Sequence, residues 1–326
     1  MAKVFLTSSS IKDEPEVPPL REYHRMVECW RRDKFSVHER TDRPEDADVI
    51  IFAELADMVG GVIDRIQNHP VYKAFPDRCV HYNPRFKDVP IIPGIYASAS
   101  RRWCMAGHAV TSHYLETAIE SEDLNDLVPP ATPPFLFSFC GSSDTWKGRR
   151  RLFQFVDSNA YLYDTAGERQ ALLRGEEAAY RQRFVQSLHE SLFVLCPRGV
   201  GPASLRLFEV LKAGRAPVII ADDYTPPEGP DWGSFSVSIR ERDIDKIPEV
   251  LDRLAPRAAE MGRLARRAHE EWFADDVSFH RIVEWSLDLL GDRDRPAVRR
   301  HRRRLAVEAS VRDAVRTAKR SVTRLL

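Results

Sequence analysis

The sequence predicts an α/β fold in two domains, and three observations carry that expectation. Residues 192–220 read LFVLCPRGVGPASLRLFEVLKAGRAPVII, with apolar runs at 192–196 and 217–220 flanking a helix-like segment. A Pro-Arg-Gly-Val-Gly-Pro loop separates the first run from the helix. That order is a βαβ unit whose loop lies at the carboxyl end of a strand, where open α/β sheets bind ligands. Residues 47–52, Ala-Asp-Val-Ile-Ile-Phe, have a charged entry and an apolar middle, as a buried parallel strand does. Residues 128–134 hold four prolines in seven, which sustain neither a helix nor a central strand. A chain of 326 residues is long enough for two such domains. The boundaries fall at 1–128 and 135–290, with a linker at 129–134 and a basic tail at 291–326.

In chain order, 3–6 is a short strand and 20–32 has helical spacing. After the strand at 47–52, residues 62–67 look helical. Residues 79–82 and 90–92 are candidate strands separated by an Asn83-Pro84 turn, 94–98 is a loop and 113–122 a short helix. In the second domain 135–139 is a strand, 140–144 its loop, 149–156 the start of a helix and 175–190 a long polar helix. The βαβ unit is followed by a strand at 235–239 and helices at 244–254, 258–273 and 277–290, the last apolar at helical spacing.

Hydrophobic content of 43% and charged content of 30% describe a globular chain, and no stretch approaches 18 apolar residues. The start lacks the apolar core of a signal peptide. Five cysteines (Cys29, Cys79, Cys104, Cys140, Cys196) without CxxC pairs argue for a reducing compartment and against a metal site. The net charge of zero hides an asymmetry: from Gly291 onward twelve Arg/Lys face four Asp/Glu, so the tail carries +8 and the rest −8.

The βαβ loop supplies the first site candidates. Arg198 and Arg206 bring fixed positive charge, and Glu209 lies on nearly the same helix face as Arg206. A helix N-terminus adds N–H groups for an anion, and Ser204 is either its N-cap or a phosphate ligand. The set suits a phosphate-bearing ligand with a hydroxylated part. Gly199 accompanies Arg198 in the loop. A second strand-to-helix loop, Gly141-Ser142-Ser143 with Lys147 and Arg149, offers close backbone approach and further positive charge. Asp222 and Asp223 either contact hydroxyls of the ligand or form the turn before Pro226. Two adjacent aspartates point apart on an extended chain, so no essential metal and no cofactor is expected.

Cys196-Pro-Arg-Gly, then Gly201, Ser204, Arg206, Leu207, Glu209, Leu211, Ala213-Gly214, 217–220 and Asp222-Asp223 resemble the exostosin family of glycosyltransferases in order and spacing. The resemblance continues through Trp232, 235–237 and Ile239 to Arg242-Asp243, covers roughly 135–290, and is weak over the first 130 residues. Arg149 and Leu152 resemble the family's Arg-x-x-Leu after the first strand of this domain. The family implies a GT-B fold of two facing doubly wound Rossmann-like domains and inverting, metal-independent transfer from a nucleotide-sugar, UDP-linked. It also implies that Glu209 accepts the ribose hydroxyls. The acceptor is expected to be a saccharide, either free or lipid-linked. Animal and plant members are usually anchored in the Golgi membrane, and this sequence shows no such anchor, which points to a bacterial, cytoplasmic enzyme.

Inversion needs a base for the acceptor hydroxyl. Glu54, directly after the 47–52 strand, is the first candidate, with Asp57, His81 and His108 as rivals. Tyr96 and Ser98, with His81, are placed on the acceptor side. The tail joins a basic run at 299–304 to apolar positions Val307, Val311, Val315, Ala318 and Val322 at helical spacing. It is either a basic amphipathic helix for an anionic membrane surface or a helix docked on the first domain. Nucleic acid is not an expected partner. Two rival readings stand beside the main one: a GDP-sugar-using, fucosyltransferase-like enzyme, and a catalytically silent saccharide- or membrane-binding relative.

Overall fold

The structure is a computed structural model that describes residues 1–10, 21–54, 61–84, 89–115, 124, 132–156, 159–168 and 177–325, with the side chains of 177–178 and 312–325 left out. Its strands are β1 (Lys3–Thr7), β2 (Glu39–Arg40), β3 (Val49–Ala53), β4 (Cys79–Asn83), β5 (Gly94–Tyr96), β6 (Ala109–Thr111), β7 (Phe135–Cys140), β8 (Ala160–Tyr163), β9 (Ser191–Pro197), β10 (Ala216–Ile220) and β11 (Val237–Ser238). Its helices begin with α1 (Arg21–Arg32), α2 (Val62–Asn68), α3 (Pro70–Ala74), α4 (Lys147–Leu152), α5 (Glu177–His189) and α6 (Arg206–Lys212). They continue with α7 (Trp232–Phe235), α8 (Ile247–Leu254), α9 (Ala258–Trp272), α10 (Asp275–Asp292) and α11 (Pro296–Leu325).

The chain divides into two compact units, 1–115 with 275–326, and 116–274. The first holds a six-stranded sheet in the order β2-β1-β3-β4-β5-β6, and the second a five-stranded sheet in the order β11-β10-β9-β7-β8. Every pairing in both sheets is parallel. The α/β class with two parallel, helix-covered sheets is therefore as the sequence predicts. In both sheets the central strands lie inside, and β3, β4 and β10 are buried along their whole length.

The predicted boundaries change at the carboxyl end. The sequence placed 277–290 in the second domain, but α10 belongs to the first unit. The reason is its apolar face: Val277, Ile282, Trp285 and Leu289 are buried, and the helix packs on α1, β3, β5 and β6. Polar contacts fix it further, with His113 Nε2 2.8 Å from Ser278 Oγ and Arg25 paired to Asp275 at 3.3 Å. Of the predicted linker, residues 129–131 lie outside the described residues.

Two strand expectations also change. Residues 90–92 carry no strand, whereas the predicted loop at 94–98 begins with β5. Gly94 explains the exchange. It pairs with His81 of β4, and a Cβ there would come 2.1 Å from the His81 carbonyl oxygen. Only glycine allows that approach. The predicted strand at 235–239 is split, with Phe235 ending α7 and only Val237 and Ser238 in β11. The predicted helix at 113–122 is absent at 113–115, and its remainder lies outside the described residues.

Up to residue 311 the tail docks on the first unit. Leu305 and Ala309 of α11 pack with Val89 and Trp103. His301 Nε2 donates to the Trp103 carbonyl at 3.0 Å, and Arg302 Nε donates to His108 Nδ1 at 3.2 Å. Glu308 takes bonds from Arg102 at 2.9 Å and from Trp103 Nε1 at 3.1 Å. Val307 and Val311 stay exposed. No helix among the described residues is long and apolar enough to cross a membrane.

A buried carboxylate on α1 gives a test of the first unit's interior. Glu22 is buried, its Oε2 has no hydrogen-bond partner among the described residues, and burial raises its pKa from 4.5 to about 7 against the pull of Arg21 and Arg25. An acid whose folded pKa is raised favours folding below its unfolded pKa, and that contribution is lost as the pH rises through the folded value. Glu22→Gln is expected to stabilise the protein at pH 8 by on the order of 1–3 kcal/mol. The gain should vanish below pH ~4.5, where the carboxyl is protonated in both states. Urea unfolding at both pH values checks this, and equal stability of parent and variant at pH 8 would count against the burial.

Candidate functional site

At the carboxyl ends of β7 and β9, two buried arginines bind the main chain. Arg149 leaves α4 and reaches back to both loops. Its Nε donates to Arg198 O at 2.9 Å, Nη1 to Ser142 O at 3.1 Å and Nη2 to Pro197 O at 3.1 Å. Arg206, the first residue of α6, donates through Nη2 to Cys140 O. Both guanidinium carbons lie over the Phe139 ring, at 5.4 Å for Arg149 and 4.8 Å for Arg206. Among the described residues no ion pair neutralises either one. Burial first, and Arg206 next, pull the Arg149 pKa down to about 9.

Burial pushes the Cys196 thiol up to about 12, with Arg206 lowering, Glu209 raising and Arg149 lowering it through charge. Arg149 and Arg206 thus meet over Phe139 at the ends of β7 and β9, and Glu209 lies three residues beyond Arg206 on α6. Glu209 is only 3% exposed, on a helix whose neighbouring positions are apolar and buried. Gly141 serves the same cluster, since a Cβ there would come 2.5 Å from Arg206 Nη2. Gly199 has no such constraint, its nearest neighbour being Arg149 Nη2 at 3.5 Å.

The side chains of Arg198 and Asp222 turn to another partner, Glu241. Arg198 is partly exposed and pairs with Glu241 at 3.6 Å. Glu241 Oε1 accepts the Asp222 N–H at 3.2 Å, and Asp222 Oδ1 accepts the Glu241 N–H at 3.0 Å. Asp222 therefore closes the loop after β10, the turn-forming alternative. Ser204 does not occupy the cap position of α6. That is Leu205, without a capping side chain. The N–H groups of Leu207 and Phe208 bond the carbonyls of Ser204 and Leu205, at 3.1 and 3.3 Å. They are thus not open to an anion as the sequence suggested.

The group after β8 is not among the residues the sequence singles out. Asp164 Oδ1 accepts the N–H groups of Ser143 and Ala166, each at 2.9 Å. Burial raises its pKa, but these bonds outweigh burial and leave it lowered. Glu168 takes a hydrogen bond from Tyr163 and pairs with Arg183 at 3.3 Å, and Arg183 lies 4.4 Å over the Tyr163 ring. The aromatic run at 160–163 is the signal that was available for β8. A surface groove at the other, amino end of this sheet is lined by Pro133, Phe135, Asn159, Leu192 and Pro248, none of them a predicted site residue.

In the first unit Glu54 is fully buried at the end of β3, so it is no exposed loop carboxylate. Its Oε1 accepts the Ser9 N–H at 2.9 Å, and its Oε2 accepts Ser9 Oγ–H at 2.7 Å and Ser8 Oγ–H at 3.3 Å. Burial raises its pKa, while the serine bonds and Arg65 oppose the rise. His81 and Tyr96, expected on the acceptor side, are core residues instead. His81 Nε2 donates to Glu54 O at 3.2 Å, and burial lowers its pKa to about 4. The Tyr96 hydroxyl donates to Ile92 O at 2.6 Å, and its ring packs edge-on to His81. His108 is buried as well, bonded to Pro90 O at 2.6 Å and lowered to about 4 mainly by burial. Ser98 is buried too. Asp57 lies outside the described residues.

Residues 108–254 match the family model described as the Exostosin GT47 domain. That stretch holds Arg149, Cys196, Arg198, Arg206 and Glu209. Among curated proteins, a probable glucuronoxylan glucuronosyltransferase of Arabidopsis thaliana is 29% identical over 165 residues, which is 45% of this chain and 35% of that protein. An exostosin-1 homolog of Caenorhabditis elegans is 40% identical over 73 residues, 22% of this chain and 19% of that protein. The chain thus spans about a third or less of those two relatives. Among solved structures, a glycosyltransferase from Rickettsia africae aligns over 88% of this chain and 98% of its own, at 9% identity and a TM-score of 0.43.

The two glycines give opposite expectations. Gly141→Ala must displace Arg206 from Cys140 O and is expected to destabilise the second unit by about 1–3 kcal/mol. Gly199→Ala meets only ordinary contact and should change stability by less than ~0.5 kcal/mol. Denaturant unfolding of both variants checks the contrast, and equal effects would contradict the packing of Arg206 against Gly141.

Proposed function

We propose that the chain is a glycosyltransferase that moves a sugar from a nucleotide-sugar, UDP-linked, to a saccharide acceptor with inversion and without an essential metal or cofactor. The observation that carries this reading is the pair of buried arginines, Arg149 and Arg206, set over the Phe139 ring and bonded to the carbonyls of Pro197 and Cys140, inside the segment that matches the Exostosin GT47 domain. Glu209 is the acceptor for the ribose hydroxyls, a task suited to a carboxylate because each oxygen takes a donor. Arg198, partly exposed and held by Glu241, meets the departing diphosphate with bidentate, charge-assisted bonds. Arg149 spends its donors on main-chain carbonyls and Arg206 gives its Nη2 to another, so they act by fixing the two loops and by their charge. A glucuronosyl donor is the first to test, because one relative is named a probable glucuronoxylan glucuronosyltransferase.

In the reaction the acceptor oxygen attacks the anomeric carbon as the bond to the diphosphate oxygen breaks. The acceptor proton passes to a carboxylate, for which Glu54 is the candidate. Burial raises its pKa, in the direction a general base working near neutral pH needs. An acceptor hydroxyl would replace a serine hydroxyl at Oε2. The acceptor itself is a free or lipid-linked saccharide, and the setting is cytoplasmic. An anionic membrane surface remains a partner only for those faces of the tail that docking leaves open, such as Val307 and Val311.

Calorimetric titration with UDP tests the donor site. Arg198→Ala and Glu209→Gln are each expected to weaken UDP at least tenfold, corresponding to about 1.4 kcal/mol. If both bind UDP as tightly as the parent, the donor assignment is wrong. Glu54→Gln should slow sugar transfer by roughly 100-fold or more while leaving UDP affinity unchanged. An unchanged transfer rate would make Glu54 only a staple between the loops after β1 and β3.

A further inference from the structure

Away from the residues assigned to sugar transfer, the first unit holds a cluster of imidazole and carboxylate groups with no role so far. His280 and Glu284 stand four residues apart on α10, which places them on one helix face. His38 arrives from the segment between α1 and β2. One ligand-capable atom from each of the three lies within 4.8 Å of the others. The His38 side chain is 1% exposed, and its Nε2 lies 2.9 Å from Glu284 Oε1 without the alignment of a hydrogen bond. His38 Nδ1 and His280 Nδ1 are buried and have no hydrogen-bond partner among the described residues. The two rings stack with centroids 5.0 Å apart, and Phe35 backs His280 at 4.3 Å.

Buried imidazole nitrogens without partners are costly unless something coordinates them. We propose that His38, His280 and Glu284 form a binding site for a divalent transition-metal ion of the zinc type. Two imidazoles and a carboxylate are a donor set zinc accepts, with a fourth position left for water. In a tetrahedral site with bonds of about 2.0–2.1 Å, ligand atoms sit roughly 3.4 Å apart. The observed 2.9 Å contact and the 4.8 Å limit bracket that spacing, so small rotamer changes close the site. Asp33 lies near enough to act on both rings through charge, as does Glu284. The opposing cations are Arg281 near His280 and the chain's amino group near His38. Entry is open, because Glu284 is 49% exposed at its side chain. The ion would clamp the segment before β2 onto α10, a structural task separate from sugar transfer. The sequence argued against a metal through its cysteines, and these ligands are not cysteines.

The test uses the untagged full chain, stripped with a chelator and titrated with Zn2+ by calorimetry and with Co2+ by visible absorption. One equivalent should bind, and Co2+ should give the intense bands of a four-coordinate nitrogen and oxygen site. His280→Ala and Glu284→Ala remove half-buried and exposed side chains, so far-UV circular dichroism of the metal-free variants should match the parent. Each is expected to weaken binding at least tenfold. No saturable binding by the parent, or parent-like binding by the doubly substituted His280→Ala/Glu284→Ala chain, overturns the proposal.

Discussion

The second unit depends on two guanidinium groups that find their partners in the main chain. Arg149 bonds the carbonyls of Ser142, Pro197 and Arg198, and Arg206 bonds that of Cys140. These carbonyls belong to the ends and loops of β7 and β9, which are neighbours in the sheet. A buried cation must be hydrogen-bonded or paired, since leaving it bare costs several kcal/mol. Here carbonyl dipoles and the face of Phe139 do that work. The two loops are consequently fixed before any ligand arrives, and among the described residues no ion pair neutralises either guanidinium. Preorganised charge of this kind stabilises an anion without reorganisation at the moment of reaction.

The first unit presents the opposite sign in the same manner. Glu54 sits at the carboxyl end of β3, stitched by Ser8 and Ser9 to the loop after β1. Its burial raises its pKa, whereas burial drives His81, bonded to the Glu54 carbonyl, toward the neutral form. Docking of α11 on Trp103 and His108 shows why a basic tail need not be a free one. Its arginines find carboxylate, imidazole and carbonyl partners on the unit it covers.

What the sequence reveals is what periodicity and punctuation encode. The βαβ unit was legible because a Gly/Pro loop separates two apolar runs, and the 47–52 strand because its middle is wholly apolar. Gly94 misled, since its reason for being glycine is the His81 carbonyl on the neighbouring strand, a tertiary fact. The apolar face of α10 was visible, but not which sheet it covers. Arg198, Arg206 and Glu209, with Arg149, were picked for one ligand, and of these the structure sets Arg149 and Arg206 together over Phe139. The inward turn of the arginines onto carbonyls was not legible, because charge is written in a sequence and its partner is not. His81 and Tyr96 show the converse, residues with suggestive chemistry that the fold uses as core.

The central claim is that the loops after β7 and β9 form one preorganised anion site, and hydrogen–deuterium exchange with and without saturating UDP tests it most directly. Exchange at 141–146 and 198–205 should slow together when UDP binds, with no comparable change at the amino end of the sheet around Phe135 and Leu192. UDP that leaves both loops unchanged, or slows exchange only at that amino end, would contradict the account.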